Sequence, residues 1–177
     1  MEEKRTKVFI GLGGNFAQAT PDTPRTHSAL GNCDLTVQIS TKLNRSHLVT
    51  GREALILPCL GRTEVDMQST GPQGVTVEDT FSMVHLSHGQ LQPCSSQLRS
   101  EPAIIAGIAG ATLGNHPIDW EWAVADYRRI RDMIADTIAG FEHFNDKLAQ
   151  PGGFYLGNAA AERKWETQGG KARFTAN

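Results

Sequence analysis

After a charged start the chain runs through the apolar stretch Val8-Phe9-Ile10 and Gly11-Leu12 into Gly13-Gly14-Asn15. A short apolar run closed by turn residues predicts a strand over Val8 to Leu12. Weak helical character follows around Arg25 to Asn32. Leu35-Thr36-Val37-Gln38-Ile39 then alternates apolar and polar residues with period two, as a second strand should. Ala54-Leu55-Ile56-Leu57 is continuously apolar until Pro58 closes it, which predicts a central strand buried on both faces. Three strands separated by crossover-length segments imply parallel pairing, with helices on the faces of the sheet. The expected fold class is α/β, a three-layer sandwich with a mainly parallel sheet.

Between Gly61 and Gln92 the pattern breaks at Gly71, Pro72 and Gly74, with Val75-Thr76-Val77-Glu78 extended, so an irregular excursion with short strands is expected. Glu101 to Leu113 is helical, with Ser100 able to cap it, Pro102 in the first turn and Gly114 stopping it. Ala103, Ile104, Ile105, Ala106, Ile108, Ala109 and Ala111 surround most of that cylinder, which predicts burial. Asp119 caps a longer helix in which Ala123, Tyr127, Ile130, Ile134 and Ile138 recur at helical spacing, opposite Arg128, Arg129, Arg131 and Asp132. Trp120 and Trp122 point different ways at its start, and at least one needs an apolar neighbour. The tail from Phe154 to Asn177 has no sustained period and reads as loop or the start of another element.

Composition narrows the classes of function. The chain has 177 residues, 39% of them hydrophobic, enough for one sizeable core and about the length of one domain. A net charge of −2, spread along the sequence, lacks the basic stripe that nucleic acid requires. No run is long enough for a membrane span, and Met1-Glu2-Glu3-Lys4-Arg5 lacks the apolar core of a secretion signal, so a cytoplasmic protein is expected. Cys33, Cys59 and Cys94 lie far apart and form no C-x-x-C pair, so they read as buried thiols and not as local cluster or zinc ligands.

The chemistry gathers at two strand ends. Glycines at Gly13 and Gly14 let bare backbone N–H groups converge on an anion or on the polar edge of a base. The spacing is G-x-G-G, not G-x-G-x-x-G, and Pro21 and Pro24 argue against a helix opening at once, which disfavours an ordinary dinucleotide fingerprint. Ser40-Thr41-Lys42-Leu43-Asn44-Arg45-Ser46-His47 follows the second strand and gathers hydroxyls, an amide, two cations and an imidazole. Parallel neighbours bring these ends to one edge, where open α/β sheets bind ligands. The candidate binding residues are therefore Gly13, Gly14, Asn15, Ser40, Thr41 and Lys42. His85 and His88, with Glu78 and Asp79 nearby, make only a weak metal motif in an extended context, so no metal ligand is assigned. No nucleophile elbow and no acid–base carboxylate pair stands out, so no catalytic residue is assigned either.

Taken together, G-L-G-G-N, S-T-K-L-N-R-S-H-L, G-R-E-A-L-I-L-P-C-L-G-R-T-E and S-E-P-A-I-I-A-G-I-A resemble the molybdopterin oxidoreductases of the formate dehydrogenase and dimethyl sulfoxide reductase superfamily. The likeness is greatest to the formate dehydrogenase-like alpha subunits and covers Val8 to Leu113, the remainder more loosely. Leu55 to Pro58 is similar to the family's strand ending in D-V-V-L-P. The resemblance implies an α/β domain, residues 1–150, that holds one guanine dinucleotide of a bis(molybdopterin guanine dinucleotide) cofactor, with 151–177 a loop or the start of the next domain. Gly13, Gly14 and Asn15 match the family's cofactor-side turn, and Ser40, Thr41 and Lys42 its T-x-T segment. Molybdenum and a 4Fe–4S cluster would belong to the full-length protein, with their ligands outside this chain. The implied partners are the remaining domains of that enzyme and a small-molecule substrate, and the chain alone would be inactive.

Two features depart from the family. Phe16 follows Asn15 where proline is usual, and Lys42 to His47 replaces a run of small and acidic residues, which leaves the substrate open. The alternatives are a stand-alone α/β module for a small nucleotide and a non-catalytic interaction domain with an empty glycine turn.

Overall fold

The computed structural model describes residues 1–175; Ala176 and Asn177, the last positions of the tail segment, lie outside them. The fold is α/β, and it divides into two compact units: Met1–Gly61 with Pro93–Ile105, and Arg62–Gln92 with Ala106–Asn177. No helix among the described residues is long and apolar enough to cross a membrane.

In the first unit β1 (Val8–Leu12), β2 (Leu35–Ser40) and β3 (Glu53–Pro58) form one sheet in the order β1-β2-β3. Both pairings are parallel, as the crossover spacing predicts, with Val8 opposite Leu35 and Leu35 opposite Glu53. The β1–β2 connection carries α1 (Phe16–Ala19) and α2 (Thr23–Gly31). Asp22 caps α2 by accepting from the Arg25 N–H, and proline stands in its first turn, where no N–H is missed. The β2–β3 connection holds only a one-turn 3-10 helix, Arg45–Leu48.

Three expectations for this unit need correction. A helix does open directly after Asn15, because Phe16 to Ala19 completes one turn before Pro21 intervenes. The second correction concerns β3, which lies at the edge of the sheet, with Leu55 51% and Ile56 48% exposed, while the alternating β2 takes the centre. A continuous apolar run reports what a strand can tolerate on both faces, and strand order decides what it receives. The third is that only two cysteines, Cys33 and Cys59, are buried, whereas Cys94 is exposed.

The second unit is antiparallel. A hairpin pairs β4 (Asp66–Gln68) with β5 (Gly71–Gln73), and β7 (Met83–Ser87) lies between β6 (Val75–Glu78) and the tail strand β8 (Phe154–Tyr155). Strands β4 to β7 are the short strands expected in the excursion, while β8 is a short strand within the tail. Phe141, Phe144 and Phe154 make edge-to-face contacts at 4.8–6.2 Å beside them.

Helix α3 (Glu101–Leu113) ends at Gly114, whose φ of +56° suits glycine. It is not the buried helix its apolar surface predicts. Only Ala106 is buried, and Leu113 is 52% exposed. The long helix expected from Asp119 to Ile138 is two helices, α4 (Trp120–Ala125) and α5 (Tyr127–Thr137). Asp119 caps the first through the Trp122 N–H. Asp126 breaks the run in an extended conformation and caps the second through the Arg128 N–H. Asp competes for backbone donors, so an apolar period that runs through it does not guarantee one helix. Trp120 stacks on His116 at 5.3 Å, and Trp122 carries the Arg129 guanidinium over its ring. Arg131, expected on the polar face, is buried: its Nε donates to Asn145 Oδ1 at 2.7 Å and its Nη1 to the Gly74 carbonyl at 3.1 Å. A short helix α6 (Phe144–Leu148) supplies Asn145.

Candidate functional site

At the carboxyl end of β1 the chain turns through Gly13 and Gly14, with φ of +62° and +65°, a region in which a side chain is strained. The Gly13 N–H donates to the Ile39 carbonyl at 2.8 Å, extending the ladder past the strand. That amide is therefore not one of the bare donors expected from the glycine turn. The N–H groups of Gly14 and Asn15 donate to no group among the described residues.

The second loop is tied to the first by side chains. Asn44 Nδ2 donates to the Gly14 carbonyl at 2.6 Å. Ser46 Oγ donates to Asn15 Oδ1 at 3.1 Å and accepts from the Ala17 N–H at 3.0 Å, so one hydroxyl holds both the asparagine and the first turn of α1. Ser46 is in turn fixed by the 3-10 helix, where Asn44 Oδ1 accepts from the Ser46 N–H and the Asn44 N–H donates to His47 Nδ1 at 3.0 Å. The same Nδ1 lies 3.2 Å from both the carbonyl and the Oδ1 of Asn44, so His47 is held against Asn44 through this one ring nitrogen. His47 is buried and its Nε2 has no partner among the described residues. Neither does Nε2 of the buried Gln38, whose Oε1 lies only 2.5 Å from where a Cβ on Gly11 would sit.

A third segment reaches the same edge. Arg99 bridges Cys59 in parallel just past β3, and the Leu60 N–H donates to the Arg99 carbonyl at 3.0 Å. Helix α3 begins two residues later, and Glu101 Oε1 lies 3.5 Å from where a Gly13 side chain would begin.

The structure thus brings Gly13, Gly14 and Asn15 to the same sheet edge as Ser40, Thr41 and Lys42, because β1 and β2 are parallel neighbours. Ser40 is buried as the last residue of β2, and its carbonyl accepts from the Cys59 N–H at 3.3 Å. Thr41 and Lys42 are exposed. The residues that join the two loops are Asn44 and Ser46, which lie inside the polar run but were not singled out by sequence. Their signal was the Asn-x-x-His spacing of a reciprocal cap around Ser46. Glu101 had no local signal at all, since it is 88 residues from Gly13 in the chain. Among the described residues no group of three His, Cys, Asp or Glu is arranged to hold a metal ion.

No family model matches the chain. It is 50% identical over 170 residues to protein YdeP of Escherichia coli strain K12, which covers 96% of this chain and 22% of that protein. It is 52% identical over 179 residues to a Mycobacterium tuberculosis H37Rv protein named uncharacterized oxidoreductase Rv2900c, covering 100% of this chain and 23% of that one. The chain therefore spans less than a quarter of the length of these curated relatives.

Proposed function

We propose that this chain is one α/β segment of a larger oxidoreductase, in which its sheet edge holds the guanine dinucleotide end of a molybdopterin cofactor. The observation that carries this reading is the joining of the Gly13–Asn15 turn to the Asn44–His47 cap at the carboxyl edge of a parallel sheet, beside Glu101. Identity of 52% to a protein named as an oxidoreductase supports the wider class.

The donor set fits such a group. The Gly14 and Asn15 N–H groups and the exposed Lys42 ammonium suit phosphate oxygens, and the two glycines keep the backbone bare for close approach. A guanine presents an exocyclic amine donor, which a carboxylate such as Glu101 accepts. Gln38 Nε2, a donor, and His47 Nε2 are both buried without a partner among the described residues, and a polar ligand at this edge would offer them one. Molybdenum in such a cofactor supplies two-electron chemistry when bound. This chain's residues bind and orient the nucleotide end and take no part in bond making.

The test uses the full-length gene product, assayed for molybdenum by elemental analysis and for guanine nucleotide released by acid hydrolysis. Both are expected, and Lys42→Ala together with Glu101→Ala should lower nucleotide content while Lys171→Ala leaves it unchanged. A full-length protein free of guanine nucleotide and molybdenum would sink the proposal. A formate dehydrogenase-like reaction is expected of the whole enzyme and is tested by formate-dependent reduction of an artificial electron acceptor.

A further inference from the structure

In the sheet of the first unit, paired residues on neighbouring strands share a face. One face therefore carries Phe9 and Gly11, then Thr36, Gln38 and Ser40, then Ala54, Ile56 and Pro58. The opposite face carries Val8, Ile10 and Leu12, then Leu35, Val37 and Ile39, then Leu55 and Leu57, with Glu53 its one polar position.

Chain handedness gives these faces different fates. With strand order β1-β2-β3 and right-handed crossovers, both connections pass over the same side. The contacts identify that side: Phe9 touches Phe16 of α1 with ring centroids 5.0 Å apart, and Ser46 in the second connection accepts from Ala17 of the same helix. Neither connection can cover the opposite, nearly all-apolar face. Its central residues Val37 and Ile39 are buried, yet its flanks stay open, with Val8, Ile10, Leu12 and Leu55 each 43–51% exposed. Four of the sheet's five exposed large apolar residues lie on this face, Ile56 being the fifth and on the other, and such an excess marks an interface, since a parallel sheet is normally covered on both sides.

We infer that this face is a docking surface for the rest of a longer polypeptide, which lays an apolar layer across Val8, Ile10, Leu12 and Leu55. The inference rests on the reading of this chain as a segment of a larger protein. More than three quarters of each relative lies outside the match, so a cis-acting cover has ample chain to come from. The face also lacks the guarding charges by which a free sheet is kept from self-association, Glu53 excepted.

Hydroxyl-radical footprinting of the wild-type full-length gene product tests this, with side-chain oxidation read peptide by peptide and corrected for intrinsic reactivity. Leu48 and Phe81, 84% and 80% exposed, serve as open references. Ile10 and Leu55 should oxidise several-fold more slowly than these references, and the protection should survive dilution to the monomer. Oxidation of Ile10 and Leu55 as fast as Leu48 would overturn the docking surface while leaving the longer oxidoreductase in place. Protection lost on dilution would assign the face to a second copy and likewise overturn it. Photo-crosslinks from this face that land within residues 1–177 of the same molecule would overturn it in favour of the chain's own cover. A gene product no longer than this chain would instead remove the reading on which both proposals stand.

Discussion

Strands β2 and β3 lie side by side in one sheet, and their burial is the reverse of their polarity. The alternating strand, with Thr36 and Gln38 among its residues, is buried along almost its whole length, and Thr36 and Ile39 have no exposed surface. Its continuously apolar neighbour shows solvent-facing side chains on both faces. The difference teaches that a strand's own pattern limits its environment, whereas its rank in the sheet assigns it. Of the two polar residues at the centre, Gln38 keeps an Nε2 with no partner among the described residues, whereas the Thr36 hydroxyl finds two. Thr36 Oγ1 accepts from the Gly51 N–H at 3.2 Å and donates to the Glu53 carbonyl at 3.4 Å. Helix α5 repeats the inversion, with Arg131 buried and Ile138 at its end 50% exposed.

The comparison is broken most forcefully at its centre. Ile39→Ala in β2 should cost roughly 2–5 kcal/mol, because a fully buried side chain leaves both lost transfer energy and a cavity. Urea unfolding of the 177-residue chain measures it, and a loss no larger than that of a surface substitution would mean β2 is not the core. Next comes the buried cation. Arg131→Ala should cost about 2–4 kcal/mol, since it strands the Gly74 carbonyl and the Asn145 amide oxygen, both of which accept from the guanidinium. Arg131→Lys should recover little of this, because one ammonium cannot reproduce the two-armed fork.

A smaller effect is expected from acid. The Asp126 carboxyl is held down to about 2, chiefly by hydrogen bonds from the Arg128 guanidinium and then by the Arg128 backbone N–H. A folded-state value depressed below the ordinary 3.8 stabilises the protein above that pH, and the contribution fades as pH falls from about 4 through 2. With Arg128 largely exposed and screened, the share is roughly 1–2 kcal/mol. Asp126→Asn should therefore destabilise at pH 7 and be nearly neutral at pH 2. An equal loss at both would assign the aspartate's effect to geometry alone.

The smallest effect sharpens the comparison from its other side. Leu55→Ala in β3 should cost about 1 kcal/mol or less in this chain, half of its side chain being exposed already. In the full-length gene product the same substitution should cost more, approaching the value for Ile39, once the face is covered. Stability measured in both contexts checks it, and identical small losses would leave Leu55 a solvent residue throughout.

Sequence by itself determined the local matters: the three strands, their parallel pairing through crossover length, the caps at Asp119 and Gly114, and the convergence of Gly13–Asn15 with Ser40–Lys42 at one edge. Each of these follows from periods and turn residues within a few positions, or from the length of a connection. Tertiary structure alone decided which strand became central, that Asp126 divides one apolar period into two helices, that Arg131 is buried, and that Glu101 reaches the glycine turn. These depend on which groups meet across long separations in the chain. Asn44 and Ser46 lie between the two cases, since their types were visible in the polar run but their partners Gly14 and Asn15 are some thirty residues away. A hydrogen bond of that kind is chosen by the sheet that aligns the two loops, and no window of sequence contains both of its ends.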